Sequence, residues 1–132
     1  IMDYLIQKKL YAMLTRVYLH EEAWELAWQT LAKANTNQLN TMLHTRLAID
    51  VADATRDIMP ERAIPVYVSY AQSLIEARGR ENYQEAARHL KKIMHLYDKL
   101  DEYEKWEALI ADIRHEHKRL RALKDELNKA GL

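Results

Sequence analysis

Cysteine is absent from this 132-residue sequence, and glycine and proline occur only twice each. Without cysteine there can be no disulfide, no thiolate nucleophile and no Cys-ligated zinc or iron–sulfur site. Two glycines far apart in the chain cannot build a glycine-rich phosphate loop. No apolar run approaches the roughly 18 residues that a membrane-spanning helix needs. An excess of one charge is missing as well: 20 Lys and Arg stand against 20 Asp and Glu. The two halves are separately near balance, with seven basic and eight acidic residues over 1–66 and thirteen and twelve over 67–132. That balance argues against a globally basic nucleic-acid binder. Strand-like alternation is nearly absent, and Val66-Tyr67-Val68 lies inside a longer helical pattern.

What remains is helical periodicity. Apolar residues recurring at three and four positions predict about six helices. The first spans about Met2 to Tyr18, with Met2, Leu5, Ile6, Leu10, Met13, Leu14 and Val17 on its apolar side. Tyr4, Tyr11 and Tyr18 form a second stripe seven residues apart. So wide an apolar surface exceeds what one neighbouring helix covers. A second helix is expected from Glu21-Glu22, acids suited to a helix N-terminus, to about Ala34. A turn at Asn35-Thr36-Asn37 and a third helix from about Gln38 to Thr55 follow. Pro60 opens the fourth helix near its first position, where a missing N–H costs little. Pro65 either kinks that helix or marks its true start, and the helix stops at Gly79. The fifth covers about Glu81 to Lys99. Asp101 is expected to cap a long sixth helix, Glu102 to about Asn128.

No basic leader or apolar h-region opens the chain, so a cleaved targeting signal is not expected. Ile1 and Met2 begin inside a helical pattern, whereas Asn128 to Gly131 fade into a glycine C-cap. Residues 1–132 are therefore expected to form a single helical-repeat domain, the C-terminal fragment of a longer protein.

Three stretches look alike: Glu21-Glu22-Ala23-Trp24, Glu61-Arg62-Ala63-Ile64 and Glu104-Lys105-Trp106-Glu107. Ala23 and Ala63 are 40 positions apart, and Ala63 and Trp106 are 43 apart. Such a period suits stacked helix pairs, each unable to bury its apolar face alone. The expected fold is all-α: an array of three antiparallel helix hairpins with a polar last helix as cap.

The segment Arg78-Gly79-Arg80-Glu81-Asn82-Tyr83-Gln84-Glu85-Ala86 resembles the inter-helix turn of tetratricopeptide (TPR) repeats, with Leu90 and Ile93 at the next packing positions. It has no Trp-x-x-Leu-Gly start and its period exceeds the 34 residues of that family. The likeness implies a TPR-like α-solenoid. A second resemblance covers about residues 60–132. The order Pro60-Glu61-x-Ala63-Ile64, Arg78 to Tyr83, Trp106-Glu107-Ala108-Leu109-Ile110 and Arg119-Leu120-Arg121-Ala122-Leu123 is similar to the C-terminal helical region of bacterial SWIM zinc-finger proteins. That likeness implies a zinc module N-terminal to the helices. No ligand of it can be assigned here, because the sequence has no cysteine.

Catalytic and metal chemistry find little support. His115 and His117 are two apart, about 200° around a helix, and cannot share a metal. His89 and His95 also fall on different faces, and no His-Glu-x-x-His pattern occurs. Ser69 and Ser73 lie mid-helix without a nucleophile elbow. Glu102, Glu104 and Glu107 interleave with Lys99 and Lys105 as on a solvated helix. No enzyme activity, metal or cofactor is expected. His117 aligns with Trp106, Ile110, Ile113 and Leu120, as a packed or seam-facing histidine would.

The expected function is a protein–protein interaction or scaffolding module, docking a partner or self-associating. Candidate partner-binding residues are Trp24 and Trp28, four apart on one face, together with Tyr4, Tyr11 and Tyr18. The alternative is a nucleic-acid-associated module using the one basic cluster, Arg114, Lys118, Arg119, Arg121 and Lys124, as phosphate contacts. Glu116, Asp125 and Glu126 dilute that cluster, and no aromatic is interleaved to stack on bases. No membrane association is expected. The missing cysteines fit a reducing cytoplasm, the expected location.

Overall fold

A computed structural model describes residues 2–34 and 41–132, with side chains described for residues 6, 7, 9–34 and 45–132. The expected turn at Asn35-Thr36-Asn37, the start of the third helix at Gln38 and Leu39, and the side chains of Tyr4, Met42 and Leu43 lie outside that description. The described residues form seven helices, with no strand among them. The fold is all-α. The helices are α1 (Met2–His20), α2 (Trp24–Ala34), α3 (Thr41–Thr55), α4 (Pro60–Ala77), α5 (Arg80–Lys99), α6 (Tyr103–Glu116) and α7 (Arg121–Lys129). They fall into two compact units, Ile1–Met59 and Pro60–Leu132.

In the first unit α1 and α2 form a hairpin, and α3 packs on both. Its core cluster is Ala27, Leu31, Leu47 and Val51, with Ala12, Tyr18, Leu19, Trp28 and Ala48 packed around it. Two threonines meet at the α1–α2 contact. Thr15 is fully buried, with its hydroxyl oxygen 2.7 Å from that of Thr30 and 2.8 Å from the Tyr11 carbonyl. Thr30 Oγ1 lies 2.9 Å from the Leu26 carbonyl. Each hydroxyl carries one proton and accepts at two lone pairs, so this set satisfies itself without water. A second chain runs from α2 to α3: Trp28 Nε1 donates to Thr55 Oγ1 at 3.1 Å, and the Thr55 hydroxyl donates to the Val51 carbonyl at 2.8 Å.

The second unit is built around α5, which packs against α4, α6 and α7. α4 buries Ala63, Ile64, Tyr67, Ala71 and Ile75, spaced as one helical face. α5 presents Tyr83, Ala86, Ala87, Leu90, Ile93 and Leu96. Trp106 and Ile113 of α6 and Leu123 and Leu127 of α7 complete the core. α4 pairs with α5.

Several boundaries differ from the sequence expectation for identifiable reasons. Glu21-Glu22 does not open the second helix. Glu22 sits at φ 60°, its N–H reaches the Leu19 carbonyl, and the Ala23 N–H reaches that of Tyr18 at 2.8 Å. This is the left-handed closure usually given to glycine, so the acids end α1. Asp101, expected as a cap for the next helix, does the same for α5: it sits at φ 58°, and the Glu102 N–H reaches the Tyr97 carbonyl at 2.8 Å. Arg78 takes φ 60° before Gly79 at φ 105°, a value only glycine adopts cheaply. Pro65 does not mark a helix start. It is exposed inside α4, and the carbonyl it leaves without a donor, that of Glu61, belongs to an exposed residue in the first turn.

The expected sixth helix is two. α6 ends at Glu116, residues 117–119 turn, and Leu120 caps α7. An unbroken helix from Glu102 to Asn128 would run about 40 Å and carry its last leucines away from α5. The turn brings Leu123 and Leu127 back against the core, each 1% exposed. It also lets Arg80, at the start of α5, bond Asp125 at 2.9 Å and Glu126 at 2.8 Å.

Candidate interaction surfaces

Large apolar side chains are most exposed along α1. Ile6, Leu10, Met13, Leu14 and Val17 follow three-and-four spacing and remain between 39% and 65% exposed. These residues have the periodicity of an inward face. They face outward because α1 meets α2 through Thr15 and Ala12 instead. A continuous apolar stripe of this kind is a docking feature, unlike single exposed leucines. From Tyr4 to Leu19 the helix carries Lys8, Lys9 and Arg16 and no acid. Arg16 pairs with Asp50 at 3.4 Å across two well-exposed side chains.

The aromatic candidates are placed differently. Trp28 is half-buried against the core cluster, with its N–H engaged by Thr55. Trp24 is half-buried at the start of α2. Tyr18 packs on the core cluster. Tyr11 is half-buried, with the Lys33 ammonium 5.6 Å from its ring centre. The side chain of Tyr4 lies outside the described residues. Trp28 and Tyr18 thus take part in the first unit's packing.

The break after Glu116 also rearranges the basic cluster. Arg114, His117, Lys118 and Lys124 line a cavity of about 280 Å³ together with Leu123 and Leu127. Arg119 and Arg121 are exposed and do not line it. The Arg114 guanidinium donates to Asn128 Oδ1 at 3.0 Å. The five cations therefore do not form one continuous stripe.

The acids of α7 are held elsewhere. Hydrogen bonds from Arg80 and then Lys129 keep the Asp125 carboxyl below its usual range. The same contact raises Arg80. Glu126 is buried and bonds Arg80, with Lys129 3.8 Å away. Glu102 pairs with Lys105, holding that ammonium above its ordinary value.

His89, which the sequence placed only on a different face from His95, is buried. His89 is 4% exposed, its ring 5.7 Å from that of Tyr67 and 4.8 Å, edge-on, from that of Tyr70. Its Nε2 lies 3.3 Å from Glu85 Oε1, and the other oxygen of Glu85 pairs with Arg88. The signal was available as Glu85 and His89 at i and i+4 beside Ala86 and Leu90. Among the described residues, no group of three or more His, Cys, Asp or Glu could hold a metal ion. None of their helices is long and apolar enough to cross a membrane.

Comparison with known proteins adds one relative. The chain is 42% identical over 73 residues to the uncharacterized protein YwqB of Bacillus subtilis (strain 168). The matched stretch is 55% of this chain and 14% of that protein. No family model matches the chain, and no solved structure matches it.

Proposed function

We propose that this chain is a non-catalytic protein–protein interaction module, TPR-like in type, working within a larger cytoplasmic protein of the SWIM zinc-finger kind. The α1 stripe carries the reading: five large apolar side chains stand in water on one helix face. The α1–α2 and α4–α5 hairpins support the TPR-like part. The relative, of which the match covers 14%, supports a module set in a longer chain. In this mechanism a partner lays the apolar face of an amphipathic helix along Ile6, Leu10, Met13 and Val17. Acidic positions on the partner's flank sit beside Lys9, which favours encounter and fixes orientation more than it adds affinity.

Site-specific photo-crosslinking tests this. A photoreactive amino acid at Met13 gives discrete protein adducts in cells, and the same group at Gln84, exposed on α5, gives none of them. Adding Leu10→Lys removes the adducts. Equal adduct patterns from both positions, or none from position 13, contradict the reading. An adduct of twice the chain's mass identifies the partner as a second copy.

A further inference from the structure

We propose that the corner between α6 and α7 is a binding site for a small amphiphilic anion, a phosphate monoester with a short apolar body. The site exists because the chain turns at residues 117–119. That turn gathers Arg114 from the end of α6, His117 and Lys118 from the turn and Lys124 from α7 around one opening. Leu123 and Leu127, both buried, close its floor, and no carboxylate lines it.

The charge is not neutralised from within α7. Asp125 and Glu126 bond Arg80 at 2.9 and 2.8 Å, and Lys129 joins them at 3.3 and 3.8 Å. The helix thus sorts its acids toward α5 and leaves Lys124 with the cavity. Arg114 is positioned by its bond to Asn128. That contact uses one of five guanidinium donors and leaves a fork suited to an oxyanion.

Size and lining select the ligand. At about 280 Å³ the cavity stands at the lower edge of small-molecule sites. It suits a compact molecule and is too small for a folded element. A dianionic head matches two lysines and an arginine better than a single carboxylate does. The aliphatic stems of Lys118, Lys124 and Arg114, above a floor closed by the buried Leu123 and Leu127, give a short alkyl body apolar contact. No Trp, Tyr or Phe side chain lines the cavity.

The test is a titration of the 132-residue chain followed by methyl and amide NMR, with butyl phosphate, inorganic phosphate and butanol as separate probes. Butyl phosphate shifts the Leu123 and Leu127 methyl signals saturably. It binds about tenfold more tightly than inorganic phosphate or butanol. Lys124→Glu weakens it about tenfold, while Arg121→Glu, the same charge change outside the cavity, alters it less than about twofold. Lys124 is exposed, so its variant keeps the native spectrum; Lys118→Glu repeats the comparison from the turn. The proposal is overturned by any of three results. One is no saturable shift up to about 20 mM. Another is equal binding of inorganic and butyl phosphate. The third is equal weakening by Lys124→Glu and Arg121→Glu, with a short DNA duplex competing, which would mark a diffuse phosphate-backbone surface instead.

Discussion

The two units solve the burial problem in opposite ways. Pro60–Leu132 wraps three helices around α5 and puts its large side chains inside: Tyr67, Ile75, Leu90, Ile93, Leu123 and Leu127 are almost wholly removed from water. Its buried carboxylate, Glu126, is paired with Arg80. Ile1–Met59 places threonines at its α1–α2 contact and leaves the larger aliphatics of α1 exposed. Apolar content alone therefore does not tell which face of a helix is core. A contact between small residues brings two backbones close and satisfies its hydroxyls locally. The larger side chains on the other face then remain for something else to cover.

The largest effect expected from this contrast is in the second unit. Trp106→Ala opens a cavity beside α5 and costs about 3–5 kcal/mol, measured by urea unfolding with amide exchange across Pro60–Leu132. A loss near 1 kcal/mol would mean that this core is not closed as described. In the first unit, Thr55→Val removes the acceptor of the Trp28 N–H. Its expected cost is about 1–2 kcal/mol, and a double cycle with Trp28→Phe should be strongly non-additive. Additive values would break the polar half of the comparison. Glu22→Gly relieves a left-handed residue and stabilises by about 1 kcal/mol, read as a raised melting temperature.

The pH dependence is smaller. Asp125 has a depressed folded value because Arg80 and Lys129 bond it. Its contribution is fully present above the unfolded carboxylate value, near pH 4, and is lost as pH falls through the lower folded value. Acid titration by NMR should place Asp125 below the exposed carboxylates, and Arg80→Met should move it upward. An unmoved Asp125 would remove the Arg80 contact from the account.

Helical class and most of the apolar faces were legible in the sequence, because three-and-four spacing is a direct consequence of helix geometry. Ala63, Tyr67, Ala71 and Ile75 fall where that spacing puts them. What was not legible depended on tertiary competition. Nothing in His117-Lys118-Arg119 announces a helix break, since there is neither glycine nor proline. The break is favoured by the burial of Leu123 and Leu127 several residues later. Glu22 and Asp101 end helices with side chains that local propensity assigns to helix starts. For the candidate sites, the basic residues were legible as a cluster, but only the turn shows which of them converge. The α1 residues were legible as apolar and not as exposed, because the decision was made by Thr15 and Thr30.

The most direct test of the central claim is the unfolding free energy of the Leu10→Lys, Met13→Lys double variant, measured by urea titration on the isolated chain. If the stripe is a surface, stability stays within about 0.5 kcal/mol of the parent. A loss of several kcal/mol, of the size found when core leucine and methionine positions are disrupted, would make those residues core and contradict the account.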